Sequence, residues 1–151
     1  MTVKIFTLFV FSVFCFYSSE LCGRDFPRHP LPENRSVTYR DAGGRHAGRA
    51  VRNGDRVTFY DAQGRYAGSA SINGDRVTYK DASGRYAGSA STVHGRTTYT
   101  DSKGRFAGSS SSHGGRVTYK DSRGRHAGSA STVHGRTTYT DSKGRFAGSS
   151  R

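Results

Sequence analysis

The sequence predicts an all-β protein: tandem β-hairpin repeats of twenty residues, forming a meander, spiral or solenoid-like sheet. Three observations lead there. A unit of twenty residues recurs about six times, with aromatic residues at Tyr39, Phe59, Tyr79, Tyr99, Tyr119 and Tyr139. Each aromatic is followed by an aspartate (Asp41 to Asp141), then by Gly44 to Gly144 and by an arginine. A fixed period of this size marks a repeat architecture. Within each unit, Val-Thr-Tyr alternates as a half-buried strand does, and two turn signals follow, Asp-x-x-Gly and then Asn-Gly, His-Gly or Gly-Gly. Finally, no stretch after residue 23 carries helical periodicity.

The chain divides into three parts. Residues 1–23 read as a secretory signal peptide: Lys4, an apolar run from Ile5 to Tyr17, then Ser18, Ser19 and Gly23. The run is short for a membrane span, and a retained N-terminal anchor is the alternative. Residues 24–36 form a linker with all three prolines, Pro27, Pro30 and Pro32, and an N-glycosylation sequon at Asn34-Arg35-Ser36. Residues 37–151 hold the six-unit β-hairpin repeat domain. A secreted or cell-surface location follows from the signal.

Both cysteines, Cys15 and Cys22, lie in the signal segment. Disulfides, a thiol nucleophile and a thiolate metal site are therefore excluded from the exported chain. Leu31 is the only leucine and Ile72 the only isoleucine after residue 23, so tyrosine, phenylalanine and valine must supply most of the burial.

Within each unit, parity sharpens the strand reading. A three-residue loop after Asp41 pairs Asp41 with Arg45 and Tyr39 with Ala47. A two-residue loop at Asn53-Gly54 pairs Arg52 with Asp55 and Ala50 with Val57. Odd positions face odd ones across the first loop, and even face odd across the second. The inward face would then swap at every unit. One extra residue per unit restores it. Gly48, Gly68, Gly88, Gly108, Gly128 and Gly148 recur in mid-strand, where glycine marks a bulge or a corner; a longer second loop is the alternative. Residues 91–110 and 131–150 are identical, so the recent unit of duplication is about forty residues. Copy number looks easy to change on this reading, and the last strand looks like an open edge that invites self-association.

The Phe59-Tyr60-Asp61-Ala62-Gln63-Gly64-Arg65 segment resembles the YD repeat of bacterial RHS proteins, and the other units match it more loosely, as in Tyr79-Lys80-Asp81-Ala82-Ser83-Gly84-Arg85. The resemblance implies spiralling shells of paired strands in secreted or surface proteins, linked to carbohydrate binding or toxin encapsulation. Six units are too few to enclose a cargo.

A formal charge of +13 points to a polyanionic partner: acidic polysaccharide, nucleic acid or anionic membrane. Two arginine columns stand out. Arg45, Arg65, Arg85, Arg105, Arg125 and Arg145 follow the first turn, each four residues after an aspartate that caps the turn and pairs with it. Arg56, Arg76, Arg96, Arg116 and Arg136 precede the strands and have no such partner in sequence, so they should matter more. On alternate strands such residues recur about every 10 Å, close to the charge spacing of an acidic polysaccharide, and tethered weak contacts reinforce one another. The first aromatic column is assigned to the core. The second, His46, Tyr66, Tyr86, Phe106, His126 and Phe146, is assigned to the ligand-facing side, with Tyr66, Tyr86, Phe106 and Phe146 as candidate stacking residues.

His94 and His134 read as loop histidines, not as metal ligands. Every candidate catalytic residue recurs in a column, whereas catalysis needs singular geometry, so neither an enzyme nor a cofactor is expected. The functional expectation is a secreted cationic module that binds acidic polysaccharide or another polyanion, without a small-molecule substrate. The alternative is a soluble cationic effector acting on anionic membranes or nucleic acid.

Overall fold

The computed structural model describes residues 35–151; the signal and linker expectations, and Asn34, lie outside the described residues. Twelve strands run in order: β1 (Arg35–Asp41), β2 (His46–Asn53), β3 (Arg56–Asp61), β4 (Tyr66–Asn73), β5 (Arg76–Asp81), β6 (Tyr86–Val93), β7 (Arg96–Thr100), β8 (Phe106–His113), β9 (Arg116–Asp121), β10 (His126–Val133), β11 (Arg136–Asp141) and β12 (Phe146–Ser150). Each pairs antiparallel with its chain neighbours.

The sheet closes on itself, because β12 pairs with β1. The tandem hairpins form the expected meander, but it closes into a barrel, which corrects the expected spiral or solenoid-like sheet. The seam has the same register as the internal joints. Gly148 faces Asp41 and Ser150 faces Tyr39, just as Gly48 faces Asp61 and Ala50 faces Phe59. Arg151 and Thr38 add two backbone hydrogen bonds, of 3.0 and 3.3 Å. The open edge expected at the last strand is therefore occupied by the first. Closure also ties copy number to the ring, since adding or removing a whole unit changes its circumference. Strands twist and bulges bend a sheet, and the curvature summed over twelve strands brings its edges together.

The predicted mid-strand feature is a bulge in every unit. Phe59 faces Gly68, the next pair is Tyr60 with Tyr66, and Ala67 is left over. The same register shift occurs between Tyr39 and Arg40, Tyr79 and Lys80, Tyr99 and Thr100, Tyr139 and Thr140, and His126 and Gly128. The bulge places Tyr39 opposite Gly48 instead of Ala47. The two Asn-Gly turns differ from expectation by one residue: their central pairs are Gly54-Asp55 and Gly74-Asp75, with Asn53 facing Arg56 and Asn73 facing Arg76. The other three centre as expected on His94-Gly95, Gly114-Gly115 and His134-Gly135. The tight turn needs a positive φ at its first central position. That need falls on Gly54 (56°), Gly74 (55°) and Gly114 (57°), and on His94 (47°) and His134 (48°). The parity argument survives the one-residue shift, because even still faces odd across this loop.

Inside the barrel, Tyr39, Phe59, Tyr79, Tyr99, Tyr119 and Tyr139 form a ring of six aromatic side chains, each only 2–7% exposed. The first aromatic column is thus core. Small residues on the even-numbered strands make room for it: Gly48, Ala50, Gly68 and Ala70 are all buried. Val57, Val77 and Val117 add a second inward layer. In the duplicated forty-residue units this layer turns polar, with Thr97 facing Ser110 and Thr137 facing Ser150. The serines are satisfied by tyrosine hydroxyls: Tyr99 to Ser110 at 2.9 Å and Tyr139 to Ser150 at 2.7 Å. Among the described residues no buried side-chain polar atom lacks a partner, which keeps these substitutions compatible with a closed core.

Candidate polyanion interface

The two kinds of turn lie at opposite rims of the barrel, because every strand runs from one kind to the other. Five strand steps of about 3.3 Å separate Arg56 from Asp61, so the two arginine columns stand roughly 17 Å apart. The structure does not combine them into one array.

At the first rim, aspartate builds the turn. Asp61 Oδ1 accepts the amide N–H groups of Gln63 and Arg65, both at 2.9 Å. Its Oδ2 accepts Arg65 Nε at 2.9 Å. The backbone closes the loop, with Gly64 N–H donating to Asp61 O at 3.0 Å and Asp61 N–H to Arg65 O at 2.9 Å. Gly64 has a φ of +78°, the left-handed conformation that this bulged loop demands. All six units form the aspartate–arginine ion pair, at 2.8–3.4 Å. Arg45, Arg65, Arg85, Arg105, Arg125 and Arg145 are therefore exposed but locally neutralised.

The six aspartates are held below the usual carboxylate range, chiefly by the amide N–H of the arginine four residues on. Partial desolvation opposes this, and the guanidinium adds to it. A depressed folded-state pKa contributes stability above the unfolded value, about 3.9 for aspartate, and that stability is lost as pH falls through the folded value. Stability is thus expected to be flat from neutral pH to about 5 and to drop below about 4, with six turns acting together. Asp61→Asn should flatten part of that drop. Denaturant midpoints from pH 2.5 to 7 measure it, and an unchanged acid limb in the variant would remove the turns as its cause.

The second aromatic column also sits at this end, pointing outward. Tyr66, Tyr86, Phe106 and Phe146 are 41–47% exposed, and His46 and His126 are exposed as well. Cross-strand partners alternate in character: Arg40 with His46, Lys80 with Tyr86, Lys120 with His126, Thr100 with Phe106. Ser89 and Thr100 hydroxyls lower the phenol of Tyr86 below its ordinary range.

One cluster here was missed from sequence. Arg49 lies 4.6 Å from the ring centroid of Tyr60, which in turn faces Tyr66 across the sheet. The signal was available, because Arg49 stands where the other units have serine, from Ser69 to Ser149, and Tyr60 is the one aromatic in its column.

At the opposite rim, Arg56, Arg76, Arg96, Arg116 and Arg136 are exposed and begin alternate strands. They alternate with the buried Val57, Val77, Thr97, Val117 and Thr137, so they face outward. Among the described residues none of them forms an ion pair. Arg116 makes one side-chain hydrogen bond, to Ser129 Oγ at 3.2 Å. Asp55 and Asp75 are the only carboxylates in these turns. The equivalent place on β1 is Ser36, which interrupts the ring at the seam.

The inside-apolar, outside-polar pattern is the reverse of a lipid-facing barrel, and the strands of five to eight residues are shorter than the nine to eleven such a barrel uses. Among the described residues no group of three or more His, Cys, Asp or Glu side chains is placed to hold a metal ion. No family model, curated protein or solved structure matches this chain.

Proposed function

We propose that this barrel is an exported binding module for acidic polysaccharide, using a rim of unpaired arginines as its contact surface. The observation that supports the reading is the difference between the two columns. Six arginines are spent on aspartates within their own hairpins, while Arg56, Arg76, Arg96, Arg116 and Arg136 point outward without a counter-ion. Arginine suits sulfate and carboxylate groups because its planar fork donates two parallel hydrogen bonds. The barrel changes how multivalency works. The arginines lie on a circle, about 10 Å from one to the next, so a straight polymer reaches two or three consecutive residues, and the remainder are free for other segments or chains. Affinity should therefore saturate at a few contacts. Chains of two or four units would not test this, since they cannot complete the same ring.

The test uses heparin as a sulfated polysaccharide probe. Replacing Arg76, Arg96 and Arg116 by serine is expected to weaken binding by about tenfold or more, at two- to threefold per exposed charge contact. The corresponding change at Arg65, Arg85 and Arg105 should cost less than about threefold, since each already has its aspartate. Equal losses in the two triple variants would remove the rim as the site. Single-stranded DNA of matched charge separates the effector reading. Binding as tight as heparin, with a steep salt slope, would favour a general polyanion binder.

A further inference from the structure

The two-residue-turn rim is not uniform around the barrel. On the β2–β3 and β4–β5 turns, Asp55 and Asp75 immediately precede Arg56 and Arg76. On the three turns from β6 to β11 no carboxylate is present, and each brings a histidine: His94, His113 and His134. All three are exposed. His113 faces Arg116 directly across its turn. Successive turns are stitched side by side, through Ser112 N–H to Gly95 O at 3.1 Å and Thr132 N–H to Gly115 O at 3.3 Å. Three arginines and three histidines thus form one continuous arc.

The backbone supplies a second, independent observation. His94 and His134 have φ of 47° and 48°, and they are the non-glycine residues with positive φ among the described residues. The matching position is glycine in the other three turns, Gly54, Gly74 and Gly114. A side chain is strained there, although histidine tolerates the conformation better than most. Imidazole is kept at a place where glycine is the easier choice.

We propose that His94, His113 and His134, with Arg96, Arg116 and Arg136, make the β6–β11 arc an acid-strengthened docking site for a sulfated polysaccharide. The inference rests on the polyanion-binding reading and adds the place on the ring and its regulation. Histidine side chains ordinarily gain a proton between about pH 7.5 and 5.5, whereas sulfate esters stay ionised throughout. A proton gained by an imidazole adds positive charge beside the arginines, while the charge of a sulfated ligand stays constant. The neighbouring charges are few. The β4–β5 turn brings Asp75 and Arg76 beside the His94 turn, through Thr92 N–H to Asp75 O at 2.9 Å. On the far side, Arg151 follows β12. Among the described residues, Asp75 is the carboxylate side chain that adjoins the arc, and it lies at its edge.

The experiment measures heparin affinity of the full-length chain at pH 5.5 and 7.5, at constant ionic strength. Wild type is expected to bind on the order of tenfold tighter at pH 5.5, at two- to threefold per added charge. The triple variant H94N/H113N/H134N should lose most of that gain and keep the affinity measured at pH 7.5, because asparagine accepts the positive φ and leaves the arginines in place. The control H46N/H126N removes the exposed histidines of the opposite rim and should retain the gain. Circular dichroism of each variant checks that the barrel is intact. Equal affinity at the two pH values, or a gain that survives in H94N/H113N/H134N, overturns the inference but leaves the arginine rim standing. No heparin binding at either pH overturns the polyanion reading and this one with it.

Discussion

Gly68→Ala is expected to destabilise the barrel by about 3–4 kcal/mol, an unusually large penalty for adding one methyl group. Two independent effects combine. The φ of Gly68 is +146°, a backbone conformation that L side chains rarely adopt and that costs about 1–3 kcal/mol. A Cβ there would also lie 2.5 Å from the carbonyl oxygen of Lys80 on β5. That oxygen belongs to the sheet backbone and cannot move without disturbing the ladder. The same collision recurs at Gly48, Gly108, Gly128 and Gly148, with Cβ to carbonyl distances of 2.4–2.5 Å. Gly64→Ala is the matched control. Gly64 also has positive φ, at +78°, yet a Cβ there meets nothing within 4 Å, so only the conformational penalty of about 1 kcal/mol should appear. Equilibrium urea unfolding of both variants decides the matter. If Gly68→Ala were no worse than Gly64→Ala, close packing of β4 on β5 would not be what the glycine serves.

Deleting β12, residues 146–151, is expected to abolish the cooperative fold. Every neighbouring pair is antiparallel, so β1 and β11 run in the same direction. With β12 gone, these two become the edges, and they cannot pair in the antiparallel register that all other joints use. Tyr39 and Tyr139, 7% and 4% exposed in the closed barrel, would lie along the open edges. Exposing a large apolar side chain costs about 1.5–3 kcal/mol, and two of them with the lost ladder approach the 5–15 kcal/mol that holds a typical domain. The open edges should also drive association. Thermal unfolding followed by circular dichroism, with light scattering for aggregation, provides the test. A monomeric 145-residue product with an unchanged transition would mean that closure contributes little. Removing residues 131–150, a whole unit, leaves an even number of strands and should hurt less, because a narrower ring can still close antiparallel.

Much of this molecule was legible in the residues. The hairpin is local: Asp61 caps its own turn, Gly64 supplies the positive φ, and Phe59 alternates with Thr58 and Tyr60 between the two faces. The need for one bulge per unit followed from counting, since two loops of opposite parity cannot keep Tyr39 and Phe59 on the same side without an extra residue. Composition separates the buried aromatic column from the exposed one, because the buried one excludes histidine and the exposed one includes His46 and His126. The two Asn-Gly turns centre one residue later than that common turn pair suggests, because glycine takes the first central position at Gly54 and Gly74, whereas the His-Gly and Gly-Gly turns centre on those pairs themselves.

Closure could not be read from any unit. Each hairpin contributes a small twist and a small bend, and the same signs of turn and alternation suit an open spiral as well as a ring. Whether the sum returns β12 to β1 depends on strand tilt, stagger and the bulk of the inward tyrosines taken together. The distribution of charge was decided at the same level. The sequence by itself determined that the six arginines of one column have aspartate partners and the five of the other do not, since that pairing is four residues long. Only the tertiary structure put the two columns at opposite rims, bent the unpaired one into a circle broken at Ser36, and gathered His94, His113 and His134 on one arc, because those relations depend on strand direction and on the closed path of the sheet.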